Sequence, residues 1–260
     1  IRRNERGQLT IGGHIAVDLA ERFGTPLYVY SGDGLVAHYA AFASAVSELD
    51  CVVHYAVKAN SSLGVLGLLA QQGAGADIVS GGEMKRALIA GIAPDKIVFS
   101  GVGKTDDEIR SALQAGIAQI NAESATELRH ISQIAAETNR QAPVALRVNV
   151  NVDSGSHAKI STGQRSTKFG IPVADGEAAM LYRQLCSDPN LIPRGLAVHI
   201  GSQLRKLDPF ERAYQELLAL ADTLRAEGLD VPILDLGGGL GVNYEEDKTP
   251  DFDAYGQMVT

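Results

Sequence analysis

The first place in this chain where chemistry can sit is a lysine that closes an alternating run, Val53-His54-Tyr55-Ala56-Val57-Lys58-Ala59-Asn60. The alternation predicts a strand with Val53, Tyr55 and Val57 on one face and His54, Ala56 and Lys58 on the other. Ala56 leaves space beside the amine. Burying an ammonium is costly, so such a lysine either keeps its head in water or has a shifted pKa and reacts with a carbonyl. On this stretch alone both readings stand.

Other stretches narrow the choice. Gly237-Gly238-Gly239-Leu240-Gly241 follows a strand-like Leu234-Asp235-Leu236. Three glycines let backbone N–H groups crowd round an anion, although they also suit a plain tight turn. Val242 stands where a dinucleotide fingerprint needs its last glycine, which excludes that motif. In His199-Ile200-Gly201-Ser202-Gln203 a ring that can stack on a planar ligand is followed by a hydroxyl that can reach a phosphate. Arg147 faces away from Leu146 and Val148 and needs an anion, for which Asp77 or a ligand would serve. Lysine, flat ring and glycine loop together describe a site for pyridoxal 5'-phosphate, with glycines and helix N-termini holding the phosphate.

Two further features are assigned no chemistry. Gly101-Val102-Gly103-Lys104-Thr105 imitates the end of a nucleotide phosphate loop, but Val98 occupies the position of its first glycine. It reads as a turn in which Thr105 caps a helix opening on Asp106-Asp107-Glu108. His14, His38 and His130 fall in helical stretches and read as surface residues. No His/Cys group has metal-ligand spacing, so no metal is expected.

The elements that must position these residues alternate along the chain. Helical spacing predicts helices over residues 15–23, 35–49, 63–71, 82–90, 106–115, 123–137, 175–186, 210–227 and 252–259. Short apolar runs predict strands at 27–30, 53–58, 76–79, 97–99, 118–121, 144–148, 195–200 and 233–236. From Lys58 onward there are seven strands, each ending on polar residues or glycine. Chemistry at the C-terminal ends of successive strands points to an α/β fold, a (β/α)₈ barrel of the TIM type, rather than a doubly wound sheet. Seven strands predict that the eighth lies beyond Thr260. The expected division is an N-terminal segment, 1–30, and an incomplete cofactor-binding barrel, 31–260. The long connection at 151–170, with Ser154-Gly155-Ser156-His157 and Ser161-Thr162-Gly163, is expected to govern access to the mouth.

Composition sets the outer limits. A chain of 260 residues can bury a large core, and its net charge of −8, with no basic face, makes nucleic acid an unexpected partner. No apolar run is long enough to span a bilayer and no leader is visible, so neither membrane nor export is expected. Two cysteines, Cys51 and Cys186, make no disulfide framework; they read as small buried hydrophobes in a reducing cytoplasm.

Taken together, several stretches resemble the diaminopimelate decarboxylase family of fold-type III pyridoxal-phosphate enzymes. They are His54-Tyr55-Ala56-Val57-Lys58-Ala59-Asn60, Gly75-Ala76-Asp77-Ile78-Val79-Ser80-Gly81-Gly82-Glu83, Asn121-Ala122-Glu123-Ser124, Arg147-Val148-Asn149, Ile160-Ser161-Thr162-Gly163, Lys168-Phe169-Gly170-Ile171, His199-Ile200-Gly201-Ser202-Gln203 and Leu234-Asp235-Leu236-Gly237-Gly238-Gly239. The likeness runs from about Gly24 to the last residue. It implies decarboxylation of meso-2,6-diaminopimelate to L-lysine and carbon dioxide. It implies that Lys58 carries pyridoxal 5'-phosphate, that His199 stacks on its ring, and that Ser202, Gly237, Gly238 and Gly239 hold its phosphate. Asp77 and Arg147 would line the pocket. It also implies an amino-acid substrate, a homodimer with shared sites, and a C-terminal β-domain beyond Thr260 that carries the proton donor and pairs with the segment 1–30. A decarboxylase of a related basic amino acid and a non-catalytic pyridoxal-phosphate carrier are the alternatives.

Overall fold

The computed structural model describes residues 1–152, 169–242 and 251–260. Residues 153–168 of the loop expected to gate the mouth, with the hydroxyl motifs it carries, lie outside the described residues.

The chain opens on three very short antiparallel strands, β1 (Arg2–Arg3), β2 (Leu9–Ile11) and β3 (His14–Ile15). Helix α1 (Ala16–Phe23) follows and ends at Gly24, where φ is +82°. Sequence periodicity does not reveal this small sheet, because two or three residues are too few to show alternation. His14 accordingly lies on a strand and not on a helix, though it is exposed as expected. The strand expected at 27–30 does not form a ladder, and Tyr28 is 85 % exposed. An apolar run becomes a strand only where a neighbour takes its N–H and C=O groups.

From residue 32 the alternation is regular. Helix α2 (Gly32–Ala45) precedes β4 (His54–Ala56), then α3 (Leu63–Gln71), β5 (Gly75–Ile78), α4 (Gly81–Ile89), β6 (Ile97–Phe99), α5 (Asp106–Ala115), β7 (Gln119–Ala122), α6 (Ala125–Glu137) and β8 (Ala142–Asn149). After the two-residue β9 (Ile171–Pro172) come α7 (Glu177–Ser187), β10 (Leu191–Val198), α8 (Asp208–Ala226), β11 (Ile233–Asp235) and α9 (Phe252–Val259). The strands form one parallel sheet in the order β11-β10-β8-β7-β6-β5-β4, with β9 pairing beside β8.

The sheet is curled. Asn121 at β7 donates to Asp235 at β11 over 3.0 Å, although β8 and β10 lie between them in the sheet. Flat strands at the usual spacing of about 4.8 Å would hold those residues roughly 14 Å apart. The helices follow the curl. α9 meets α2, with Phe252 edge-on to Phe42 at 5.5 Å, and the two helices approach closely enough that a Cβ on Gly256 would lie 2.0 Å from the Ala45 carbonyl oxygen. The sheet is thus the wall of a (β/α) barrel with its outer face covered. Ile78, Phe99, Ile120, Leu146 and Leu196 are fully buried there, in one core with Met84, Ile109, Leu128 and Leu217 of the helices.

Three of the strand-to-helix turns repeat one device. Ser80, Thr105 and Ser124 each cap a helix by accepting from the backbone N–H of a glutamate three residues on: Glu83, Glu108 and Glu127. Each glutamate returns the favour to a backbone N–H at the turn, those of Val79, Thr105 and Glu123. The mouth of the barrel is therefore built from turns whose orphan donors are satisfied locally.

The cysteines correct an expectation. Cys51 is exposed and Cys186 only partly buried. Cys51 lies in the link between α2 and β4, where the chain runs over the surface and its thiol reaches the Val46 carbonyl at 3.6 Å.

Candidate active site

Lys58 does not end the strand itself. β4 stops at Ala56 and the chain tightens into a single 3₁₀ turn, Val57–Ala59, that buries Val57 and turns the Lys58 side chain to solvent at the mouth. Val57 joins Val53 and Tyr55 on the core side, as the alternation predicts; what differs is that the strand gives way to a turn two residues before Lys58. Next to β4, Asp77 stands one residue before the end of β5, with Ala56 and Asp77 in register. Asp77 Oδ1 accepts from the Ser100 hydroxyl at 2.6 Å. Burial pushes the Asp77 carboxyl up to about 6 and the Asp235 carboxylate adds to the rise; the Ser100 hydrogen bond and the Lys58 and Arg147 cations oppose it.

Arg147 faces inward from β8 as expected, but its anion is not Asp77. Its Nη1 donates to Glu123 Oε1 at 2.7 Å, with both side chains buried. Glu123 directly follows β7, the strand beside β8, so it meets the guanidinium directly, whereas Asp77 lies three strands away. Arg147 also stacks over the Phe169 ring, 5.2 Å from its centroid. Glu123 Oε1 accepts a further N–H from Gly101 at 3.3 Å, and Glu123 Oε2 is buried with no partner among the described residues.

His199 follows β10 on the same inner side. The Gly238 N–H donates to its Nδ1 at 3.4 Å, which leaves Nε2 to carry the proton of the neutral ring. Burial takes this imidazole down to about 4, and the Arg147 and Lys58 charges push the same way, so the ring is neutral near pH 7. The strand-end loop after His199 is laced to the glycine loop. Leu204 N–H donates to Gly239 O at 2.9 Å, Gly241 N–H to Leu204 O at 2.8 Å, and Val242 N–H to Gln203 Oε1 at 2.9 Å. This lacing puts exposed Ser202 beside the glycines.

The glycines are required by space. A Cβ on Gly237 would lie 2.1 Å from the Val198 carbonyl oxygen and one on Gly239 would lie 1.9 Å from that of Gly201. Both also have positive φ, +68° and +116°. Gly238 alone has open space before it. A crowded backbone that opens at one point, beside a hydroxyl and a neutral ring, fits a phosphate and a flat heterocycle better than it fits a plain turn.

Lys104 is fully committed elsewhere. Its Nζ donates to Gly101 O at 2.6 Å, to Asn121 O at 2.7 Å and to Glu127 Oε1 at 3.0 Å. It braces two mouth loops, in keeping with the turn read from the sequence, and Thr105 with Glu108 forms the expected cap. Among the described residues no group of three or more His, Cys, Asp or Glu side chains is arranged to hold a metal ion, and no helix is long and apolar enough to cross a membrane.

Lys58, Asp77, Arg147, His199, Ser202 and Gly237 to Gly239 thus meet at one mouth. Ser100, Glu123, Asn121 and Asp235 join them without having been singled out as site residues. All four stand at or beside polar strand ends, but their partners lie 21 to 114 residues away in sequence.

Comparison with known proteins finds relatives along nearly the whole of this chain. The diaminopimelate decarboxylase of Vibrio cholerae is 49% identical over 255 residues, which are 98% of this chain and 61% of that protein. The solved diaminopimelate decarboxylase of Helicobacter pylori in complex with L-lysine superposes with a TM-score of 0.90 at 40% identity, over 94% of this chain and 61% of the other. That of M. jannaschii, also with L-lysine, gives 0.92 at 37% identity, over 98% and 60%. The chain therefore spans about 60% of the length of these relatives. Residues 33–260 match the family model described as pyridoxal-dependent decarboxylase, pyridoxal binding domain, and the chain belongs to that family.

Proposed function

We propose that the protein decarboxylates meso-2,6-diaminopimelate to L-lysine and carbon dioxide with pyridoxal 5'-phosphate. The observation that carries this reading is the placing of Lys58, beside Asp77 and within electrostatic reach of a neutral His199, at the end of the barrel that also carries the glycine loop. The identity to diaminopimelate decarboxylases, at about half the residues, supports the choice of substrate.

Lys58 would bind the cofactor through its amine. Gly237, Gly238 and Gly239 would offer backbone N–H groups to the phosphate, with the Ser202 hydroxyl beside them. The cofactor, when bound, supplies an electron sink for the pair left as carbon dioxide departs. His199 would cover one face of its ring; because the imidazole is neutral it adds no charge against that ring. Asp77 stands beside the lysine with a carboxyl that exchanges its proton near neutral pH. Arg147, held by Glu123, keeps a fixed positive charge at the mouth. We further propose a homodimer acting in the cytoplasm, by analogy with the family.

The experiment is direct. The intact protein with pyridoxal 5'-phosphate is expected to release carbon dioxide and L-lysine from meso-diaminopimelate and to leave L-ornithine untouched. Turnover of ornithine or arginine in place of diaminopimelate overturns the substrate assignment.

A further inference from the structure

Five hydrogen bonds inside the barrel form one directed chain. Gln119 Nε2 donates to Asn121 Oδ1 at 2.7 Å. Asn121 Nδ2 donates twice, to Ser100 Oγ at 3.1 Å and to Asp235 Oδ2 at 3.0 Å. Ser100 gives its single proton to Asp77 Oδ1 at 2.6 Å, and Asp235 Oδ1 accepts the Gly237 N–H at 2.9 Å.

With Asp77 and Asp235 both as carboxylates the directions are forced. An ionised Asp235 only accepts, and Ser100, having spent its proton on Asp77, must also accept. Both therefore need the Asn121 amino group, and the Asn121 oxygen is left for Gln119. No other side chain of this size serves. An aspartate would put a third carboxylate between Asp77 and Asp235, and a leucine would leave Ser100 Oγ and Asp235 Oδ2 without a donor. One end of the chain is the first glycine of the loop; the other is the carboxyl beside Lys58.

We propose that Asn121 is a positioning residue that ties the glycine loop to Asp77, so that the two ends of the cofactor site keep one register. Asn121 is only 2 % exposed and acts through the residues at each end. The proposal rests on the pyridoxal-phosphate reading above.

The test titrates the intact apoprotein with pyridoxal 5'-phosphate and with pyridoxal, which lacks the phosphate, followed by the visible absorbance of the bound aldehyde. Asn121→Leu is expected to weaken pyridoxal phosphate about tenfold, the worth of a buried hydrogen bond to a charged group, and pyridoxal much less. Ser100→Ala cuts only the Asp77 arm. It is expected to keep the phosphate advantage while moving the pH at which the visible band titrates, and to move it no further in the Asn121→Leu background. Should Asn121→Leu fail to fold, Asp235→Asn attacks the same arm without change of volume and is expected to lower the phosphate advantage alike. Equal losses for the two probes, or additive shifts of the band, overturn the proposal. A wild type that binds neither probe overturns the pyridoxal reading itself, and this inference with it.

Discussion

Along β7 and the residue after it, and along β8, the outward residues Ile120, Ala122, Leu146 and Val148 alternate with the inward Asn121, Glu123, Arg147 and Asn149. The same backbone thus carries two different interiors. The outer one is apolar, closed by helices, and stabilised without direction by the area it removes from water. The inner one is a network of named partners in which each polar group depends on particular others. Stability should therefore reside mainly in the first and protonation behaviour in the second.

The largest effect expected from this contrast is on the outer face. Phe99→Ala should cost about 3–5 kcal/mol in urea unfolding, because the ring is fully buried and its space cannot collapse. Its neighbour on the inner face, Ser100→Ala, should cost well under half of that. Equal costs would break the comparison.

Next in size is the ion pair. Glu123→Leu strands the buried Arg147 cation and should cost about 3 kcal/mol, whereas the double variant Glu123→Leu with Arg147→Met should recover most of the loss. A double variant as unstable as the single one would mean that the pair itself, and not the stranded charge, is what matters.

The pH dependence separates the inner groups. Asp77 titrates at about 6 in the fold, above its unfolded value, so its contribution is complete below about pH 4 and is lost as pH rises through 6. His199 titrates at about 4, below its unfolded value, so its contribution is present above about pH 6.5 and is lost as pH falls through 4. Each is worth about 3 kcal/mol and they nearly cancel over the same window. Asp77→Asn should therefore uncover a stability that rises from about pH 4 to 6.5, and His199→Phe one that falls. Unfolding midpoints measured across that range check both signs; two variants with the same slope would sink the assignment.

The smallest effect belongs to the rim. Thr105→Ala removes a helix cap and should cost about 1 kcal/mol, read from the urea midpoint at neutral pH.

Much of this was legible in the sequence because it is local. The βα period, the Thr105 cap and the glycine loop each lie within a few residues. Lys58, His199 and Arg147 were found because polar residues stood where strands end. What was not legible is pairwise and distant. Glu123 meets Arg147 because neighbouring strands bring residues 24 apart together, and Asn121 meets Asp235 across 114 residues only because the sheet curls. The 3₁₀ turn at Val57–Ala59 and the exposure of Cys51 depend on tertiary packing that no periodicity encodes.

The account stands most directly on Lys58. Borohydride reduction of the intact protein loaded with pyridoxal 5'-phosphate, followed by peptide mass mapping, should place the label on the peptide containing Lys58, and Lys58→Ala should carry none. A label on Lys104 or Lys96 instead, or one retained by Lys58→Ala, would contradict it.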